Sequence, residues 1–256
     1  MTSRMPILFI GHGSPMNAIE NNEFSRSWIA VGEALPIPKA ILCVSAHWET
    51  EGTQVTSMEN PRTIHDFYGF PPELNRLTYP APGSPELAQR VRDLVSENVI
   101  AADMTWGLDH GTWSVARRLF PKADVPVIQL SLDVTKNAQE HYYLGRQLQP
   151  LRDEEVLILG SGNIVHNLHM ILFEGPAYDW AVEFDGKVRK WILDDQPEPI
   201  IQYEKQGGEA ELAINSAEHF KPLLYILGAK EPGEPVSFFA EKVFYGSISM
   251  RSARIG

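Results

Sequence analysis

The stretch Ile7-Leu8-Phe9-Ile10-Gly11-His12-Gly13-Ser14-Pro15 sets four apolar residues directly against a glycine-framed histidine. A short apolar run closed by a turn signal reads as a strand buried on both faces, the kind found in a sheet covered by helices. The pattern recurs. Ala40–Val44 runs into Ser45-Ala46-His47-Trp48, and Val156–Leu159 runs into Gly160-Ser161-Gly162-Asn163, with His166 just beyond. Val125–Leu130 is a fourth run of this type. In open α/β sheets, ligands bind outside the carboxyl ends of the strands. Three strands here deliver a histidine to that edge. One such histidine is usually a satisfied core residue; three at equivalent positions point to a site.

Helical spacing fills the gaps. Pro85–Val95 follows Ser84, an N-cap type, with Pro85 at the first helical position. Trp113–Phe120, Ala138–Leu151 and Ala181–Ile192 are further helices by pattern. Near the end, Val236–Ala240 and Val243–Met250 read as sequential strands, a late hairpin or mixed edge. The expectation is an α/β fold: one domain over residues 1–256, with a central, mostly parallel or mixed sheet covered by helices on both faces. A chain of 256 residues with 43% hydrophobic content can bury such a core. Pro61–Pro82, carrying Phe67, Tyr68, Phe70 and Tyr79, is too long for a simple connector. It reads either as a binding loop or as an aromatic-pinned surface loop.

A net charge of -11 without a Lys/Arg cluster argues against nucleic acid as a partner. The single cysteine, Cys43, lies in an apolar run and reads as a buried thiol, which suits a reducing compartment. The opening Met1-Thr2-Ser3-Arg4-Met5-Pro6 lacks a secretory apolar region. No apolar stretch approaches the ~20 residues of a membrane span. These features give the expectation of a cytoplasmic protein with a small-molecule substrate and no membrane or nucleic-acid partner. The oligomeric state has no signature.

The other histidines sort by context. His110 lies in Gly107-Leu108-Asp109-His110-Gly111, another glycine-framed turn. His219 lies in Asn215-Ser216-Ala217-Glu218-His219-Phe220, where Asn215 reads as an N-cap and Glu218 as its capping-box partner. Iron(II) oxygenases commonly use two histidines and a carboxylate, so Glu218 and His219 compete for one ligand position. The capping duty of Glu218 favours His219. His65, in Thr63-Ile64-His65-Asp66-Phe67, reaches toward the site from the aromatic loop. His169 is expected behind the site or in solvent, and His141 on the surface.

Together the motifs resemble the class III extradiol ring-cleavage dioxygenases, most closely their DOPA extradiol dioxygenase branch. The resemblance rests on Gly11-His12-Gly13-Ser14-Pro15, Ser45-Ala46-His47-Trp48, Thr63-Ile64-His65-Asp66-Phe67, Tyr79-Pro80-Ala81-Pro82-Gly83, Leu108-Asp109-His110-Gly111, Gly162-Asn163-Ile164-Val165-His166-Asn167-Leu168 and Glu218-His219. It implies one mononuclear metal held by His12, His47 and His219, where other members of the wider family place glutamate at the third position. It implies that His166 is the acid–base histidine, with a fourth ligand as the alternative role. His110 is implied as a second histidine near substrate and oxygen, with His65 and Trp48 on the substrate side. Iron(II) is the expected working ion, and an all-histidine set also suits zinc(II).

The chemistry accounts for these residue types. Both hydroxyls of a catechol can bind one ion, whose charge lowers their pKa. Three protein ligands leave room for catechol and O2, and a histidine titrating near neutrality can take a proton and later return it. The rivals are a zinc hydrolase on the same three histidines with His166 as base, and a non-catalytic binding protein of the same fold.

Overall fold

The computed structural model describes residues 4–95 and 99–256; Met1–Ser3, at the start of the segment read for a leader, lie outside them. The strands are β1 Ile7–Gly11, β2 Ala40–Thr50, β3 Gln54–Thr56, β4 Ala101–Asp103, β5 Val127–Asp133, β6 Val156–Gly162, β7 Val236–Phe239, β8 Val243–Phe244, β9 Ile248–Ser249 and β10 Ser252–Ile255. The α-helices are α1 Glu23–Ala34, α2 Pro72–Asn75, α3 Pro85–Leu94, α4 His110–Leu119, α5 Ala138–Gln147, α6 Asp179–Leu193, α7 Pro197–Ile201, α8 Gly208–Ala213 and α9 Lys221–Ala229.

Eight strands form one sheet in the order β4-β3-β5-β2-β6-β1-β10-β7. Its centre, β5-β2-β6-β1, is parallel, and β10 pairs antiparallel with both β1 and β7. The period-2 alternation of each central strand divides the core in two. Ile7 and Phe9, Leu42 and Val44, and Ile128 and Leu130 face the side covered by α3, α5, α6 and α9. Leu8 and Ile10, Ile41 and Cys43, and Leu157 and Leu159 face α1 and α4. Ile7 to Ile10 are at most 1% exposed, each worth about 1.5–3 kcal/mol of burial. Cys43 is buried, as its context implied. The α/β fold with both sheet faces covered is thus as expected. No helix among the described residues is long and apolar enough to cross a membrane.

Several boundaries differ from the sequence reading, each for a local reason. β2 does not stop at Val44 but continues to Thr50, with a register shift against β5 between Val44 and Glu49. α5 ends at Gln147, because Pro150 turns the chain into a 3-10 segment, Gln149–Glu154. Val243–Met250 is not one strand. Positive φ at Tyr245 (48°) and Gly246 (77°) folds it into the separate β8-β9 pair, and the strand of the main sheet is β10. Asn215 caps no helix. α9 begins at Lys221, with Pro222 in the first turn, where a missing N–H costs nothing. His141 is not on the surface. It lies on the inward stripe of α5 with Leu144 and Gly145, fully buried, and its Nδ1 pairs with the Tyr225 hydroxyl at 2.9 Å.

The aromatic loop is ordered rather than loosely draped. Ile64 donates to Leu108 O (2.7 Å), Leu108 to Arg62 O (2.8 Å), the Trp113 indole to Ile64 O (2.8 Å), and the Tyr79 hydroxyl to Phe120 O (2.9 Å). These bonds carry Asp66 and Phe67 over the first turn of α4.

Candidate metal centre and substrate cleft

Five histidines converge beyond the carboxyl edge of the parallel strands. His12 follows β1 directly, and its N–H donates to Gly162 O of β6 (3.1 Å). His47 is inside β2, within the stretch where the ladder to β5 is interrupted; such irregularities re-aim side chains. His219 precedes α9, and its carbonyl accepts from Asn163 N (2.8 Å). Gly162 permits that approach, since a Cβ there would stand 2.1 Å from His219 O. His110 does not sit on a free turn. It is the first residue of α4, behind the N-cap Asp109, whose carboxylate accepts from Thr112 N (3.1 Å). His166 is anchored by its backbone N–H to Ala213 O (2.9 Å).

The His12, His47 and His219 rings each have a polar partner behind Nδ1, as does His110. Ser161 Oγ donates to Gly111 O (2.6 Å), so it can only accept from His12 Nδ1 at 3.0 Å. His47 Nδ1 lies 3.4 Å from Asp66 Oδ2. His219 Nδ1 lies 2.9 Å from Glu218 Oε1, which also accepts from Ser216 Oγ. A proton held on Nδ1 leaves the Nε2 lone pair for a ligand. Glu218 therefore serves His219, and its capping duty is corrected.

Separation selects among the five. Two imidazoles bound ~2.1 Å from one ion at tetrahedral to octahedral angles have their nitrogens about 3.0–3.4 Å apart and ring centroids about 4.6–5.3 Å apart. The His12, His47 and His219 centroids are separated by 5.0, 5.3 and 5.0 Å. The Nε2 atoms of His12 and His47 are 3.1 Å apart. His47 and His110 are too close, at 3.9 Å. His166 stacks on His219 at 3.5 Å with planes 9° apart, so their in-plane lone pairs run parallel instead of meeting on one ion. The donor set His12, His47 and His219 fits a divalent ion, with the Asp66 and Glu218 carboxylates behind it to offset the charge.

Burial favours the neutral form of His12, His219, His47 and His166. It pushes His12 and His219 well below the ordinary imidazole range, helped by their histidine neighbours. Burial, followed by His110, lowers His47 to about 3 against the pull of Asp66, and burial lowers His166 to about 4. Neutral imidazole is the form that ligates metal or accepts a proton. Burial would raise Asp66, but the hydrogen bonds from the His110 ring and backbone N–H oppose it and the carboxyl is held low.

The cluster lies at the floor of a cleft of about 1140 Å³. His110, His166 and Asp66 line it beside the three candidate ligands; its walls include Phe67, Phe70, Phe173 and Phe244. Two substrate-side candidates lie outside the cleft lining. His65 is not among the cleft-lining residues; it binds Leu77 O at 2.8 Å and packs against Trp113, which pins the loop. Trp48 points to the opposite side of β2 from His47, is 3% exposed, and stacks on Trp106. His169 is exposed on the 3-10 turn Leu168–Met170. Asp66 was missed although it adjoins His65 in the quoted motif; a reading for histidines alone passes over the carboxylate that orients them.

The family model for the catalytic LigB subunit of aromatic ring-opening dioxygenase matches residues 6–255. The chain is 46% identical to a 4,5-DOPA dioxygenase extradiol of Escherichia coli (strain K12), covering 100% of this chain and 96% of that protein. It is 40% identical to a 4,5-DOPA dioxygenase extradiol of Beta vulgaris, over 86% of this chain and 85% of that protein. The crystal structure of an uncharacterized protein from Escherichia coli K12 superposes with a TM-score of 0.84 at 40% identity, covering 99% of this chain and 100% of that one.

Proposed function

The chain belongs to the family of the catalytic LigB subunit of aromatic ring-opening dioxygenases, enzymes of extradiol catechol cleavage, and we propose that it opens DOPA or a similarly substituted catechol at iron(II) held by His12, His47 and His219. The observation that carries the ligand assignment is the near-equal spacing of those three rings, each with Nδ1 already engaged. An iron(II) ion there would bind both catechol oxygens and let electron density pass from the ring to O2.

The chain's own groups then have separable tasks. His166 stacks on His219 at the cleft wall, and its ring has no hydrogen-bond partner among the described residues. Burial holds it neutral, so it has a lone pair ready for a catechol proton and later returns that proton. The stacked geometry favours this role over a fourth ligand. His110, fixed through Nδ1 by Asp66 at 2.9 Å, offers Nε2 to substrate or oxygen. The aromatic walls accept the ring and exclude water from it.

Three imidazoles also suit zinc(II), which has no redox chemistry. Parallel samples loaded anaerobically with iron(II) or zinc(II) should therefore part on addition of DOPA and air. Only the iron form should consume oxygen. Oxygen uptake by the zinc form, or an iron form inert toward DOPA and other substituted catechols, would refute this choice of metal and substrate.

A further inference from the structure

Asp66 stands where three parts of the molecule meet. It belongs to the aromatic loop, directly before Phe67, which lines the cleft. Its Oδ1 accepts from the His110 backbone N–H at 2.9 Å, and its Oδ2 lies 2.9 Å from His110 Nδ1. The same Oδ2 is 3.4 Å from His47 Nδ1. One carboxylate oxygen therefore faces the Nδ1 atoms of two histidines whose rings are 3.9 Å apart. An anionic carboxylate can only accept, so His110 Nδ1 must carry a proton, and at 3.4 Å the same oxygen favours a proton on His47 Nδ1.

We infer that Asp66 is a positioning residue that sets two histidines at once, holding His47 with Nε2 toward the metal and His110 with Nε2 toward the substrate. The inference rests on the roles given above to His47 and His110. It adds that loop and metal centre are joined through this carboxylate: the segment bringing Phe67 to the cleft also orients the ligand and its neighbour. Shape alone cannot substitute. Asparagine at this position has one acceptor oxygen for two N–H groups, and its amide would confront a second donor at either the backbone or the ring.

The zinc-loaded protein, which is diamagnetic, allows a direct reading of imidazole tautomers by 15N NMR. Neutral His110 should carry its proton on Nδ1. Asp66→Asn should abolish that preference, weaken zinc binding roughly 10–100-fold, and lower kcat of the iron-loaded enzyme more than it raises KM for catechol. Asp66→Glu should recover part of each. Trp113→Phe, which removes another bond to the same loop, from the indole to Ile64 O, should leave the tautomer unchanged and so separate positioning from general loosening. A wild-type His110 protonated on Nε2 would overturn the inference even if Asp66→Asn failed to fold. An Asp66→Asn protein with unaltered tautomer and zinc affinity would overturn it as well. Failure of the dioxygenase reading looks different: wild-type iron protein would leave catechol and oxygen unreacted while the tautomer results stood.

Discussion

The His12, His47 and His219 rings stand 5.0–5.3 Å apart, each with a polar partner at Nδ1. Ser161, Asp66 and Glu218 face those Nδ1 atoms, which leaves each Nε2 available to a ligand. Replacing any of the three with alanine should drop metal content well below stoichiometry, read by metal analysis of purified protein. Full retention in two of the three variants would contradict the ligand set. His166→Ala should behave oppositely. It should hold its metal but turn over roughly 10²–10⁴-fold more slowly, the usual worth of a general base. Loss of metal with normal turnover of the remaining holoenzyme would make His166 a ligand. His12, His47 and His110 were legible in the sequence because each lies beside an apolar run or a glycine turn, and His219 through the Asn215–Glu218 pattern before it. Their partners were not. Asp66 and Glu218 act across folded distances that spacing does not encode, and Glu218 fitted a capping pattern that the chain does not use. His65 and Trp48 share motifs with Asp66 and His47, which line the cleft, yet neither side chain lines it.

At the level of elements, the site depends on close approach between β6 and the turn before α9. Gly162→Ala would set a Cβ against the His219 carbonyl, and backbone cannot yield as a flexible side chain can. The expected result is reduced metal affinity with the fold retained, measured by zinc titration and circular dichroism. Unchanged affinity would show that the turn moves freely. α4 makes a similar demand. Asp109 caps it, accepts from Ser45 Oγ and Gln129 Nε2 at 2.7 Å, and is buried with a raised pKa, chiefly from desolvation. Asp109→Ala should cost at least the ~1 kcal/mol of a lost cap, seen as a lower melting temperature, and unchanged melting would discount the cap. The central strands were readable because burial on both faces leaves unbroken apolar runs. β2 beyond Val44 was not, since Ser45, His47 and Glu49 interrupt the run although the ladder continues through Thr50. α4 was read three residues short because His110 and Gly111 look like a turn until Asp109 is seen to cap them.

Taken whole, the molecule buries several histidines in neutral form, and this ties its stability to pH. His141, away from the cleft, is lowered to about 4, first by burial and then by Lys221. Between that value and the ordinary imidazole pKa of about 6.5, the unfolded chain binds a proton that the folded one refuses. Stability is therefore present above this window and is lost as pH falls through it, by at most about 3 kcal/mol for this residue at ~1.4 kcal/mol per pH unit. Melting temperature of metal-free protein should decline steadily across that range, and His141→Gln should flatten the decline. A flat wild-type profile would mean that these histidines take up protons while folded. The same architecture gathers the β1, β2 and β6 ends, the loop over α4 and the turn before α9 around one histidine cluster at a cleft of about 1140 Å³. The most direct measurement loads the protein anaerobically with iron(II), adds catechol, admits 18O2, and follows the visible spectrum and the product mass. A yellow ring-opened product carrying both labelled oxygen atoms is expected. A colourless product of cleavage between the hydroxyls, or catechol and oxygen left untouched while esters or peptides are hydrolysed, would contradict it.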